Sequence, residues 1–341
     1  MLLASLLLLP LQAVKAEAAE PRALDLYFPA DIEEHWAFEE LDNFVNADLL
    51  RGYQDAEGNV WIKPNNSISR AEFVSILVRA LGLTSTEAGK TFADVETGKW
   101  YADPIRIASS LGIVNGISDT KFGPNTLISR GEIATMVVRA FESSITFEGE
   151  IKEFSDVPDY FAKPFILKAS QAGIVRGATA TEFKPYDNAK RAEAVVMLQR
   201  ALDLQKVALP EDAALTSVIS EAEANDFQIF KDKTYDQFHD AHDKYFTGYY
   251  LSTSYSLTEQ LLEMIDEGVS IEVEKVSDQA LTVVEKSDRF AVVESTGGSY
   301  TTTTNFENET TKETVHSDGI YYLKKMEDGS WKVYMYYSFE E

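Results

Sequence analysis

Three arginines, Arg70, Arg130 and Arg191, each stand six positions after a proline and two before a glutamate, in Ser69-Arg70-Ala71-Glu72, Ser129-Arg130-Gly131-Glu132 and Lys190-Arg191-Ala192-Glu193. A guanidinium fork can hold a planar carboxylate by two parallel charge-assisted hydrogen bonds. Upstream of each arginine lie an aromatic and a glycine: Trp36 and Gly52, Trp100 and Gly116, Phe161 and Gly177. An indole offers an apolar face and one N–H donor, and glycine lets a ligand approach the backbone closely. Lys63, Lys121, Lys184, Arg51 and Arg176 lie close by, enough for locally positive grooves. Each of these residues also has a structural reading. An arginine at an exposed helix start contributes little to folding, tryptophan at helical spacing serves a core as readily as a groove, the glycines read first as helix stops, and each glutamate reads first as a cap.

The elements that position these residues follow from a threefold repeat. Each copy opens on an Asp–apolar pair, Asp31-Ile32, Asp94-Val95 and Asp156-Val157, and the aromatic-to-glycine step spans 16 positions every time, Trp36 to Gly52, Trp100 to Gly116 and Phe161 to Gly177. The glycine-to-proline step varies most, through an insertion at Asp55-Ala56-Glu57-Gly58-Asn59 in the first copy that reads as a surface turn. Apolar spacing predicts a helix from each aromatic to the glycine stretch, a short extended piece, then a second helix. Ser-Arg-x-Glu opens that second helix as a capping box, with Glu reaching back to the N-cap amide. One such hairpin cannot bury its own apolar stripe. Three packed about a common axis can, which predicts a compact all-α, three-lobed domain.

These motifs resemble the S-layer-homology (SLH) family, whose F-x-D-V start, W-A at the first helix, G-I-x-x-G, F-x-P and T-R-A-E elements have counterparts here in order over about 180 of the 341 residues. The resemblance implies a pseudo-trimer of helix-loop-helix units whose grooves bind a secondary cell-wall polymer, an anionic glycan often carrying pyruvate ketals. It carries the polymer-contacting role to Arg70, Arg130, Arg191, Trp36, Trp100, Gly52, Gly116 and Gly177. The third copy departs from the pattern: Phe161 replaces tryptophan and Lys190 replaces the capping hydroxyl, so this copy, with Arg191, is expected to matter least.

Composition narrows the class further. With net charge −25, pI near 4.5 and no Lys/Arg-rich run, the chain is a poor partner for nucleic acid. Without cysteine it has neither disulfide staples nor a thiol nucleophile. Leu2 to Val14 reads as the apolar region of a secretory signal spanning residues 1–18, too short for a bilayer helix, so the mature protein is expected to be secreted, held at the cell wall and free of membrane anchorage.

The expected division is SLH repeats at 25–83, 90–142 and 152–204, a linker at 205–214 and an α+β domain at 215–341. The last begins with helix from Leu215 to His242. Strands follow at 271–276, 280–284, 290–295, 320–325 and 331–337, with a hairpin turn at Glu327-Asp328-Gly329-Ser330 and a long polar turn over Thr301 to Thr311. Helices followed by a curved antiparallel sheet resemble the NTF2-like cone. No serine elbow, phosphate loop or convincing metal set is present: His239 and His242 lie one helical turn apart, but His316 is unproven as a third ligand. The expectation is a wall-anchored binding or structural protein with no cofactor, metal or catalytic residue. The alternative is a wall-anchored enzyme, and a C-terminal cavity with convergent polar groups and shifted pKa values would favour it over a filled apolar interior.

Overall fold

The computed structural model describes residues 21–339. The expected signal segment, residues 1–18, lies outside the described residues. The repeats form six helices, α1 (Phe38–Asn46), α2 (Arg70–Leu81), α3 (Ala102–Ser110), α4 (Arg130–Phe141), α5 (Lys163–Gln171) and α6 (Arg191–Asp203), and the insertion closes a small hairpin of β1 (Tyr53–Gln54) and β2 (Val60–Trp61).

Both helices of a repeat begin and end for local reasons. Trp36, Trp100 and Phe161 precede the first helices by two residues instead of opening them. Gly52, Gly116 and Gly177 are not the helix stops either. The left-handed residue that ends each first helix is Asp48 (φ 60°), Gly112 (φ 73°) or Gly173 (φ 74°), two positions past the last helical residue. The second helices open as expected: Ser69 and Ser129 accept from the Glu72 and Glu132 amides, and each glutamate accepts the serine N–H at 2.8 Å. At α6, Glu193 still accepts from the Lys190 N–H at 2.8 Å, but no side chain caps the other way.

The opening aspartates have a structural role. Asp31, Asp94 and Asp156 each accept two consecutive amides, Ile62/Lys63, Phe122/Gly123 and Phe183/Lys184, at 2.7–2.8 Å. Those clamps hold the turn before the proline, where Lys63, Gly123 and Lys184 all take positive φ (56°, 73° and 59°).

The three lobes close on themselves. Ile68 N–H donates to Ala189 C=O, Ala189 N–H to Ile128 C=O, and Ile128 N–H to Ile68 C=O, a ring of three bonds at 2.9–3.1 Å. The first two amides of each second helix, which have no partner within the helix, donate to the next repeat: Arg70 and Ala71 to Thr126 and Pro124, Arg130 and Gly131 to Asp187 and Pro185, Arg191 and Ala192 to Asn66 and Pro64. Phe44, Phe73, Phe122, Phe141 and Phe183 are fully buried in the shared core, each contributing about 1.5–3 kcal/mol by leaving water.

The expected linker is tied down. Gln205 is buried, its carbonyl accepts the Asp288 amide at 2.8 Å, and its side-chain amide donates to Ser144. Helices α7 (Asp212–Asp232), α8 (Phe238–Tyr245) and α9 (Gly248–Asp266) follow, then seven strands: β3 (Ser270–Ser277), β4 (Ala280–Lys286), β5 (Phe290–Thr296), β6 (Ser299–Phe306), β7 (Glu309–His316), β8 (Gly319–Lys325) and β9 (Trp331–Ser338). They pair antiparallel in two sheets, β3-β6-β7 and β4-β5-β8-β9. The turn expected over Thr301 to Thr311 is instead most of a hairpin, β6 paired to β7 from Ser299↔His316 to Phe306↔Glu309. Threonine is β-branched and favours strands, and this ribbon, with β7 exposed and the buried positions of β6 polar, lacks the apolar alternation that betrays a half-buried strand. Tyr334 and Met335 of β9 join the core of the repeats, and the Tyr334 hydroxyl donates to Asn43 at 2.5 Å.

Candidate functional site

The signature arginines are not exposed helix-start residues: Arg70, Arg130 and Arg191 are only 3%, 5% and 3% accessible. Each reaches into the following repeat. Arg70 donates to the Phe122 and Asn115 carbonyls and pairs with Glu132 at 2.6 Å; Arg191 donates to the Ile62 and Arg51 carbonyls and pairs with Glu72 at 2.9 Å. Arg130 donates to the Phe183 carbonyl at 2.8 Å and pairs with Glu193. Each glutamate thus caps its own helix with one carboxylate oxygen and holds the preceding repeat's arginine with the other. For Glu72, burial pushes the carboxyl up, but hydrogen bonds from Tyr53 and Ser69 and the Arg191 charge outweigh it and leave the carboxyl below its usual value.

The aromatics resolve the other way. Trp36, Trp100 and Phe161 are 66%, 60% and 61% exposed, far from a core role. The glycines are packing positions. A Cβ at Gly116 would lie 2.3 Å from the Lys121 carbonyl and 2.7 Å from the Phe92 ring, and at Gly177 2.6 Å from the Phe154 ring.

A cleft of about 500 Å3 gathers one residue of each type from three different repeats: Gly52 from the first, Trp100 from the second and Arg191 from the third. Arg51 and Arg79 complete its positive wall, with Tyr53 and Glu72 beside them. Arg79 carries the clearest sign of an unmet interaction. Its Nε donates to the Ser75 carbonyl at 3.2 Å, yet Nη1 is buried without a hydrogen-bond partner. Burial first, and then the Arg51 charge, pull its pKa down to about 10. Neither Arg51 nor Arg79 belongs to the spaced signature, so Arg79 was missed; Arg139 and Arg200 at the same helical position are the signal that would have found it. Arg191 is expected to matter least because its repeat has Phe161 for tryptophan and Lys190 for the capping hydroxyl; the side-chain cap is indeed missing, but the Arg191 cleft takes its indole from Trp100 of another repeat.

Residues 30–74, 91–134 and 153–195 match the family model described as the S-layer homology domain. The chain carries three S-layer homology domains. It is 34% identical over 173 residues to the "Surface-layer 125 kDa protein" of Lysinibacillus sphaericus, a match covering 49% of this chain and 14% of that protein. It is also 30% identical over 165 residues to the "Cellulosome-anchoring protein" of Acetivibrio thermocellus, covering 46% of this chain and 36% of that protein. An "Amylopullulanase" of Thermoanaerobacterium thermosulfurigenes matches at 30% over 179 residues, 51% of this chain and 9% of the enzyme. The matches therefore span about a third or less of each relative's length. The S-layer homology domains and these relatives support anchoring of a surface protein at the cell wall.

The C-terminal sheets hold a second cavity, about 590 Å3, so their interior is not filled. Rings of Phe227, Phe246, Tyr250, Tyr300, Tyr321 and Tyr336 line it together with Glu223, Asp226 and His316. His239 and His242 do not converge with His316 on a metal. His239 stacks on Tyr255 at 4.2 Å, His242 stacks on Phe246 at 5.1 Å and meets Asp226 at 3.5 Å, and among the described residues no group of three or more His, Cys, Asp or Glu can hold an ion. No described helix is long and apolar enough to cross a membrane.

Proposed function

We propose that the S-layer homology domains anchor this chain without a covalent bond, by taking an anionic secondary cell-wall polymer, pyruvylated in the reading favoured here, into the clefts between repeats. The observation that carries the proposal is the first cleft, where the Arg79 guanidinium has a buried donor with no partner, Arg51 and Arg191 stand beside it, and an exposed Trp100 offers a ring face. A carboxylate-bearing sugar satisfies both needs: the anion meets the guanidinium and the apolar ring face covers the indole. By the repeat register, Arg70 with Gly116 and Phe161, and Arg130 with Gly177 and Trp36, form the corresponding sites. The buried signature arginines build the walls and contribute charge from behind. Residence at the cell wall or S-layer accords with the S-layer homology domains. In this reading the N-terminal 1–18 segment is an export signal, and the C-terminal domain is the module displayed.

The test uses the whole chain. Purified protein is mixed with wall fragments and with fragments stripped of their anionic polymer, beside Trp100→Ala and Arg51→Gln/Arg79→Gln variants. Retention on intact walls alone, reduced by both variants, supports the reading; equal retention on stripped walls refutes it.

A wall-anchored enzyme is the second reading, and the open C-terminal cavity with the Asp226–His242 pair beside it favours that reading over a filled interior. Hydrolytic activity against wall glycans that disappears in Asp226→Asn would establish it.

A further inference from the structure

The C-terminal cavity combines three properties. It is walled by aromatic rings at contact geometry: Tyr321 and Tyr336 lie 4.4 Å apart between centroids, Phe246 and Tyr250 4.6 Å, and Tyr250 and Tyr336 6.3 Å. It is acidic, with the carboxylates of Glu223 and Asp226 in its lining and no lysine or arginine among the lining residues. It also has polar groups free to meet a guest: among the described residues the hydroxyls of Tyr250, Tyr300 and Tyr321 have no hydrogen-bond partner, and the buried Ser317 hydroxyl has none.

The chain itself shows what such a wall accepts. Lys275, on β3, pairs with Glu223 at 2.9 Å and sets its ammonium 5.6 Å from the centre of the Phe227 ring, a cation held by a carboxylate over a π face. Asp226, half-buried, has the imidazole of His242 as its ion-pair partner, at 3.5 Å. Burial, and then the Asp226 charge, push the Tyr250 phenol well above its ordinary value, so it stays neutral and presents its ring and hydroxyl to the cavity.

We propose that this cavity binds a small organic cation with an apolar body, an alkylated or primary ammonium, seated against the rings of Tyr250, Tyr321 and Tyr336 with Asp226 as its counter-ion. Cation–π contacts against the rings and an opposed, half-buried carboxylate favour such a guest over a neutral one of the same shape. An anionic guest would face the Asp226 carboxylate with no lysine or arginine in the lining to offset it, Glu223 being already paired with Lys275.

The probes are choline, benzyltrimethylammonium and 3,3-dimethyl-1-butanol, the last a neutral carbon isostere of choline, titrated calorimetrically into the full chain. The expected result is saturable binding of at least one cation, at least about tenfold tighter than the neutral isostere. Asp226→Asn should weaken it by at least about tenfold, and Val273→Trp, which fills the cavity from β3, should abolish it. Melting curves of both variants accompany the titrations, and for a variant that fails to fold, competition by sodium chloride and by the neutral isostere on the unaltered chain decides instead. Equal affinity for cation and isostere, binding that survives Val273→Trp in a folded protein, or no binding of either cation overturns the proposal.

Discussion

Arg70 and Glu132 lie 62 positions apart in sequence and 2.6 Å apart in space, and the carboxylate that receives the guanidinium is the one that caps helix α4. Cap and cross-repeat pair share one side chain, so loss of the Glu132 carboxylate touches both. Glu132→Gln is expected to leave the buried Arg70 charge without its partner and to cost about 3–5 kcal/mol, and Arg130→Ala, which strands the partly exposed Glu193, to cost less. Arg130→Lys should also lower the thermal midpoint, because lysine cannot reach both the Phe183 carbonyl and Glu193 as the fork does. Denaturant unfolding of the three variants checks this; unchanged midpoints would mean the pairs are energetically idle.

Anchoring is expected to depend on Trp100 more than on its own repeat would suggest. Trp100→Ala should reduce wall retention while shifting stability by less than about 0.5 kcal/mol, since the ring is 60% exposed. Phe161→Ala tests the cleft whose aromatic lacks an N–H and should weaken retention less. Co-sedimentation with wall fragments, beside melting curves, separates the two effects.

Lys190→Ser should stabilise the protein by about 0.5–2 kcal/mol by restoring the missing half of the capping box at α6. Chemical denaturation reads this directly, and a loss of stability would show that the lysine has another role.

Stability should also respond to pH through Asp203. Its residue as a whole is exposed, but partial burial strips water from the carboxyl and raises its pKa to about 6, with the Glu285 and Glu40 charges adding to the shift. The folded state therefore holds this proton more tightly than the unfolded chain, whose carboxyl titrates near 3.8. The resulting stabilisation is present at low pH, declines as pH rises from about 4 to 6, and is gone above. Asp203→Asn should flatten that part of the profile and raise the midpoint at pH 7, as seen by melting across pH 4–8.

Sequence spacing alone disclosed the repeats, both serine capping boxes and five of the seven C-terminal strands, because these depend on residues near one another or on apolar alternation. The β6-β7 ribbon escaped because the buried positions of β6, Ser299 and Thr301, are polar, and the threonines, glutamates and Lys312 of β7 are almost all exposed, so no apolar face marks it. The burial of Arg130 escaped for a different reason. Its partner, Glu193, sits 63 positions away, and a first-turn arginine looks like a surface residue until the neighbouring repeat is in place. Groove membership was likewise hidden, since Gly52, Trp100 and Arg191 meet only after the lobes close.

That closure, sealed by the Ile68–Ala189–Ile128 ring of amides, has a consequence for how such a chain can change. An open stack of repeats can be lengthened or shortened one unit at a time and needs special end units to cover its last apolar face. Here every unit is both first and last. A fourth copy has nowhere to insert and a missing copy leaves two torn edges, so the number of repeats is fixed at three. Grip on the wall can then be tuned only by altering residues within a groove, or by adding an entire second triplet.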